Sequence, residues 1–520
     1  MKRVIEHIER TKAEVAEHPF YRWLASDQAP LEDRFAFAPV FVTFIMGFSD
    51  MNRWFMRYPA AGDELRRAIN KHTFEDATHS RLFLEDWRKL GLDGRLGWSA
   101  GDTIAWHYAS RETEIFRGYG MEVMKMCALH EDPLVRFSFM DAIEACGHVF
   151  FAATSNVATE LSKKTGEDYR YFGTYHLKRE TGHLLAGWRA FEEATLDEAR
   201  LEEACSLVDR IFGMFLVEND RLLRYAERVS GDLRGEAPRP LAASGALDPR
   251  EPLSSPPSSG GGGAGGAGAG EERASGPASP SQRAVQGALA LRKKKASGHP
   301  LFAWMQAGDP KEALRKLRRL AAFWVPDILG YRDLATYALA YPRPEGARER
   351  AINRVAMRLA SHHRLFLRDW VELDMDQALG FSASDTLDFY CVSESTEVQR
   401  KSMATFVKLA FKHPDPRLRF WLIEALEASG EAFFRGTRAL SRRVEADGRR
   451  RLDYLADRHA SAHPRLEPDE EADRVAIIRE ELGEREREIA VEIIDAVFDC
   501  LEAQLSVCLE LVTSGELAFG

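Results

Sequence analysis

Cysteine is scarce in this sequence: six residues in 520, at Cys127, Cys146, Cys205, Cys391, Cys500 and Cys508, with no C-x-x-C pair. That excludes a disulfide framework and a cysteine-built structural zinc site, and it points to reduced thiols in a cytoplasmic protein. Positive charge is also short. The 71 Lys and Arg against 81 Asp and Glu leave a net −10, with no concentrated basic face of the kind a general nucleic-acid binder needs. Long apolar runs are missing: the longest, residues 35–48, contains Pro39, Thr43 and Gly47 and falls short of the ~20 residues a membrane span needs. The opening MKRVIEHIERTKAE reads as an amphipathic polar helix, not a signal peptide. The expectation is a protein with no membrane span and no nucleic-acid partner.

Strand-like alternation is absent too, and what is present is helical periodicity. Apolar residues recur at intervals of three and four over residues 1–17, 33–57, 63–90, 102–129, 133–163 and 196–228. Ser99 with Asp102, and Ser382 with Asp385, predict capping boxes. The HP pairs at His18 and His299, the DP pairs at Asp132 and Asp415, and the TG turn at Thr165 punctuate the helices. The fold class is therefore all-α, with about seven or eight helices in each bundle.

Two bundles are expected because the chain repeats. Residues 69–87, INKHTFEDATHSRLFLEDW, align with residues 352–370, INRVAMRLASHHRLFLRDW. At the same offset SAGDT (Ser99) meets SASDT (Ser382), DPLVRF (Asp132) meets DPRLRF (Asp415), and IEACGHVFF (Ile143) meets LEASGEAFF (Leu426). The period far exceeds that of a solenoid repeat, so this is a duplicated domain. Between the copies the composition collapses into Gly, Ser, Pro and Ala, from which no core can be built. The predicted division is residues 1–230, a disordered linker over 231–284, and residues 285–520.

The chemistry-bearing residues gather in the first copy. YHLKRETGHLL, residues 175–185, sets His176, Glu180 and His183 at i, i+4 and i+7, one stripe of a helix. Two imidazoles and a carboxylate are a mixed N/O donor set suited to iron, manganese or zinc. Two earlier helices carry matching donors. One holds His72, Glu75, Asp76 and His79 within one sector, and the other holds Glu144 beside the small residues Ala145, Cys146 and Gly147. A carboxylate on such a segment is costly to bury unless it is paired or binds a cation. Taken singly, Glu144 would more often pair with an arginine, and His79 would more often be a satisfied core histidine. As a set they point to a metal site. His148 is left as surface or outer support, and His107 and His130 have no donor neighbours. Phe41, Phe44 and Phe48 form an aromatic stripe that reads equally well as a substrate-cavity wall or as ordinary core.

His-x3-Glu-x2-His, preceded by an isolated Glu and before that by an acidic–His helix, resembles the haem-oxygenase-like diiron oxidases and oxygenases. The opening HPFYRWLAS is similar to the first helix of the wider superfamily, which includes thiaminase-II-like proteins. The resemblance implies that His176, Glu180, His183, Glu144 and His79 are ligands. Many family members place their first Glu seven residues before the histidine, where this chain has His72; others place it three before, at Asp76, and Glu75 is a third candidate. The second copy has Val355, Arg358, Leu359 and His362 at positions 72, 75, 76 and 79. Positions 72 and 76 therefore look inward and position 75 outward, which favours Asp76, with His72 as a further or alternative ligand. The resemblance implies two haem-oxygenase-like bundles, two iron ions (or manganese), and O2-dependent oxidation of a small organic substrate such as an amine, an amino acid or a fatty acid. An external electron donor, and a homodimer or pairing of the two domains, fit the same reading.

In the second copy Leu359, His463 and Leu466 replace Asp76, Glu180 and His183, while His362, Glu427 and His459 stand for His79, Glu144 and His176. Two of three carboxylates are gone, so no dinuclear centre is expected there. Residues 475–511 form a strongly amphipathic helix, or two. Two other readings compete for the whole chain. One is a metal-free thiaminase-like enzyme using Cys146 as nucleophile, and the other is a non-enzymatic binding or scaffold protein.

Overall fold

The computed structural model describes residues 1–183, 188–233, 239–243, 278–309, 312–446, 448–456 and 468–516, with side chains for all of these except 180–183, 188–189, 243 and 468–471. It is 79 % helical with no strand among the described residues, so the protein is all-α. The chain divides into two units: Met1–Ala243 with Phe381–Glu397, and Ser244–Gly380 with Val398–Gly520. Most of the predicted linker, 231–284, lies outside the described residues. Its last residues, from 280 on, belong to the helix Pro280–Ala296.

The first copy folds into α1 (Lys2–Ala16), α2 (Pro19–Ala25), α3 (Ala38–Met51), α4 (Glu64–Asp76), α5 (His79–Lys89), α6 (Leu92–Leu96), α7 (Ala100–Ala109), α8 (Glu114–Leu129), α9 (Pro133–Thr165), α10 (Thr174–His183), α11 (Trp188–Glu192) and α12 (Glu198–Val229). These are more helices than the periodicity suggests, because two expected rods are each cut in two and α6 and α11 are five-residue helices that no periodic run covers. The helix expected over 63–90 breaks at Ala77–Thr78. There the Thr78 hydroxyl donates to the Glu75 carbonyl at 2.8 Å, and the Ser49 hydroxyl donates to the Ala77 carbonyl at 3.0 Å. Both carbonyls thus find partners outside the regular i→i+4 ladder. The helix expected over 102–129 breaks after Ala109, where the Thr113 hydroxyl donates to Trp106 O and the Arg117 guanidinium to Ser110 O. The helix expected from residue 33 starts only at Ala38, where Pro39 suits the first turn because it has no N–H to leave unpaired, and it runs into a π-helical turn at Asn52–Met56.

Elsewhere the local signals take the predicted form. Ser99 and Asp102 make the reciprocal capping box, and so do Ser382 and Asp385. His18 caps α2 through its ring, Phe20 N donating to Nδ1 at 3.2 Å, and His299 caps Pro300–Gln306 in the same way. Asp132 caps α9, which ends on Gly166 at φ 77°, a left-handed conformation glycine adopts without strain. Residues 475–511 prove to be parts of two helices, Pro468–Arg479 and Glu484–Ser514.

Within the first unit α9 is the axis, with α1, α2, α4, α10 and α12 packed against it. The core between α3, α9 and the approach to α10 is aromatic: Phe35 and Phe172 stack at 4.6 Å between centroids, and Phe41 and Phe150 lie 5.1 Å apart. Burying such rings contributes about 1.5–3 kcal/mol each. Among the described residues one segment, Leu31–Met56, is long and apolar enough to cross a membrane, and 78 % of its apolar window is buried inside the protein, as in a core helix.

Candidate metal centre

The donors are brought together where α4, α5, α9 and α10 meet. The α4/α5 break is what allows it: Asp76 closes α4 and His79 opens α5, so the two share neither a helix nor a fixed 100° step. The expectation of one helix carrying all four residues is corrected here. The Ser80 hydroxyl, donating to the buried Ile45 carbonyl at 2.8 Å, anchors the start of α5.

Five residues form a connected set. His72 Nε2 lies 3.1 Å from Asp76 Oδ2 and 3.1 Å from Glu144 Oε1. His79 Nε2 lies 3.9 Å from Asp76 Oδ1 and 3.1 Å from His176 Nε2. Donor atoms of His72, Asp76 and Glu144 all fall within 4.8 Å of one another. Asp76, His79 and His176 are buried at 1 %, 5 % and 0 % exposure, so water screens them little. Glu75 is half-buried and outside that converging triad. Glu180 and His183 lie on α10, but their side chains are outside the described residues.

The tautomer of His176 follows from its surroundings. Its Nδ1 is 2.9 Å from the Tyr171 carbonyl, which can only accept, so the proton sits on Nδ1 and the Nε2 lone pair faces His79. This is the outer support that ligating histidines carry. Two imidazole nitrogens bound at right angles to one ion would stand about 3 Å apart, since metal–nitrogen bonds are ~2.0–2.1 Å; the pair fits that spacing. Burial works against a charged His72, but Asp76 and Glu144 outweigh it, and its pKa stands well above 6.5. Burial also pushes Asp76 up, to about 6. The two carboxylates thus favour the charged form of the imidazole between them, and a metal cation can take over that charge when it displaces the proton.

Asp86 positions the approach to α10. Its carboxylate accepts from the backbone N–H groups of Arg170, Tyr171 and Phe172, each at 2.9 Å, and so holds the carbonyl that orients His176. In the second copy Asp369 does the same for Asp453, Tyr454 and Leu455. Beside the donors lies a cavity of about 50 Å³ lined by Phe41, Phe44, Phe48, Phe150, Phe151, Phe215, Glu144, His79 and Glu218. Glu218, 2 % exposed, has an Oε2 with no hydrogen-bond partner among the described residues, and burial drives its pKa well above 4.5.

The other histidines and Cys146 stand apart. His130 pairs with Glu203 at 2.7 Å, and His18 both caps α2 and faces Asp220 at 3.3 Å. Burial brings His107 down to about 3. Cys146 is fully buried and its thiol is pushed well above 9, far from the thiolate a nucleophile needs. Sequence reasoning missed Asp86, Tyr171 and Glu218. The first had a visible signal, because the Asp of RLFLEDW recurs in RLFLRDW; Glu218 had none, since its helix repeats poorly.

In the second unit Glu427 Oε1 pairs with Arg358 Nη2 at 3.1 Å, so an arginine already supplies the cation there. Leu359 stands in place of Asp76, and His459, His463 and Leu466 lie outside the described residues. No family model and no curated protein matches the chain.

Proposed function

We propose that the first unit is a non-haem diiron, O2-dependent oxidase or oxygenase of the haem-oxygenase-like kind, acting on a small organic substrate. The observation that carries the reading is the convergence of His72, Asp76, His79, Glu144 and His176, three imidazoles and two carboxylates, beside an aromatic cavity. These residues, with Glu180 and His183 of the same α10, would hold two iron ions, manganese being the other metal the donor set suits. When bound, the metal supplies the electrons that activate dioxygen and the oxidising power turned on the substrate.

What the chain itself contributes can be stated residue by residue. Tyr171 O holds the proton on His176 Nδ1, and Asp86 holds Tyr171 in place. Phe48 lies parallel to His79 and Phe151 packs, tilted, at 3.8 Å between centroids on His176, shielding the imidazoles from water. Burial favours the neutral form of Glu218 at the cavity wall. A cavity of about 50 Å³ takes a molecule of dioxygen size. Walls of this kind favour a substrate with an apolar body, such as an alkyl amine, an aromatic amino acid or a fatty acid. The high pKa of Cys146 disfavours the metal-free thiaminase-like alternative.

The test is oxygen consumption by anaerobically iron-loaded protein on addition of candidate amines, amino acids and fatty acids. Substrate-triggered uptake that His176→Ala abolishes supports the reading. Uptake that persists without iron sinks it.

A further inference from the structure

The second copy has Leu359, His463 and Leu466 where the first has Asp76, Glu180 and His183, and the second unit holds a cavity of about 490 Å³, far larger than its counterpart in the first. The two cavities occupy equivalent places. Glu427, Phe433, Phe434 and Tyr454 line the second as Glu144, Phe150, Phe151 and Tyr171 line the first. What differs is the floor. Where the first copy has Phe44 the second has Asp327, and where it has Phe48 the second has Tyr331. The burial patterns of the two last helices match when Ala204 is set on Ala490, which puts Gln504 in the register of Glu218. The buried acid has therefore moved from the last helix to the neighbouring helix Val325–Asp333, and an amide has taken its former place.

Asp327 is 8 % exposed and accepts from Gln504 Nε2 at 3.0 Å. Among the described residues no cation pairs with it: of the cationic or titratable basic side chains lining the cavity, Arg358 and Arg474 are held by Glu427 and Glu424, and Arg438 and His362 have partners of their own. A carboxylate at the edge of a cavity, ringed by Trp324, Tyr331, Phe433 and Tyr454, is an expensive group to bury for packing alone. It is the arrangement that recognises an organic cation, whose charge meets the carboxylate while its flanks meet ring faces. The volume suits a ligand of one or two rings.

We propose that the second unit is a binding module for an organic ammonium with an aromatic or alkyl body, its charged end paired with Asp327. This does not depend on the oxidase reading of the first unit. The probes are tryptamine and 2-phenylethylamine, with indole-3-propionate as the ring-matched anion, titrated calorimetrically into the metal-free full chain. The expected result is saturable binding of at least one amine at one per chain. Asp327→Asn, and Asp327→Phe, which restores the residue of the first copy, should each weaken it tenfold or more. The matched anion should bind at least tenfold more weakly to the unaltered chain, a comparison that needs no variant to fold. No saturable binding of either amine, unchanged affinity in a folded Asp327→Asn chain, or preference for the anion would each overturn the proposal.

Discussion

Replacing Asp86 with alanine isolates the device that aims His176. The change leaves the N–H groups of Arg170, Tyr171 and Phe172 without their acceptor. Three orphaned, mostly buried donors cost about 3–9 kcal/mol at 1–3 each. Against this, burial pushes the Asp86 carboxyl from 3.8 to about 6, so removing a charge that the fold disfavours recovers about 3 kcal/mol at neutral pH. The balance is a loss of about 0–6 kcal/mol in local stability, centred on about 3. Hydrogen exchange on the metal-free full chain reads it directly: protection of amides 170–172 should fall by about a hundredfold, at 1.4 kcal/mol per tenfold. Because His176 hangs on the Tyr171 carbonyl, iron affinity should drop about 10–100-fold as well. Asp369→Ala is the internal control. It should loosen amides 453–455 less, because burial raises the Asp369 carboxyl further, to about 8, and it should leave iron content unchanged. Unaltered protection in Asp86→Ala, or equal loss of iron in both variants, would refute the reasoning.

Three further outcomes follow from particular contacts. Gly173→Ala should destabilise the first unit by about 1–3 kcal/mol in thermal unfolding, because a Cβ there would sit 2.1 Å from the Tyr169 carbonyl oxygen; a rise in melting temperature would contradict the close approach. Asp327, raised by burial to about 7 from 3.8, is bound more tightly by its proton in the folded state. Its stabilisation is full below about pH 3.8 and is lost as pH rises through 7, about 4 kcal/mol in all. The facing titratable groups, Tyr331, Tyr454 and Cys500, stay neutral across that window, their own pKa values all raised by burial. Urea unfolding of wild type and Asp327→Asn should therefore diverge with pH, and parallel curves would count against it. Cys146 should resist iodoacetamide in the folded chain, and oxygen uptake should survive the treatment. Loss of activity in step with its alkylation would revive the nucleophile reading.

Helical content and local stops were legible because they depend on neighbours in sequence: the capping boxes, the HP starts and the Asp132 cap all act within one turn. The two helix breaks were not. Ser49, which takes the Ala77 carbonyl, is on another helix, and Arg117 reaches back over a loop. Periodicity sees neither. The inward turn of Asp76 was readable because the second copy replaces it with leucine, and the fate of Glu427 was foreshadowed by the arginine at position 358. The stripe Phe41, Phe44 and Phe48 lines the cavity and also packs in the core, so the two readings of it describe one surface. The unit boundary escaped the repeat comparison, since residues of the second copy, Phe381–Glu397, cluster with the first unit. Alignment registers similarity and is blind to which copy a helix packs against.

The most direct test of the metal assignment is iron quantification with Mössbauer spectroscopy on the full chain, loaded anaerobically with ferrous iron. The account predicts two irons per chain, antiferromagnetically coupled after oxidation, falling below one in His176→Ala and Glu144→Gln and unchanged in Glu427→Gln. Wild-type protein that takes up no more than trace iron, or variants that keep the full complement, would contradict it.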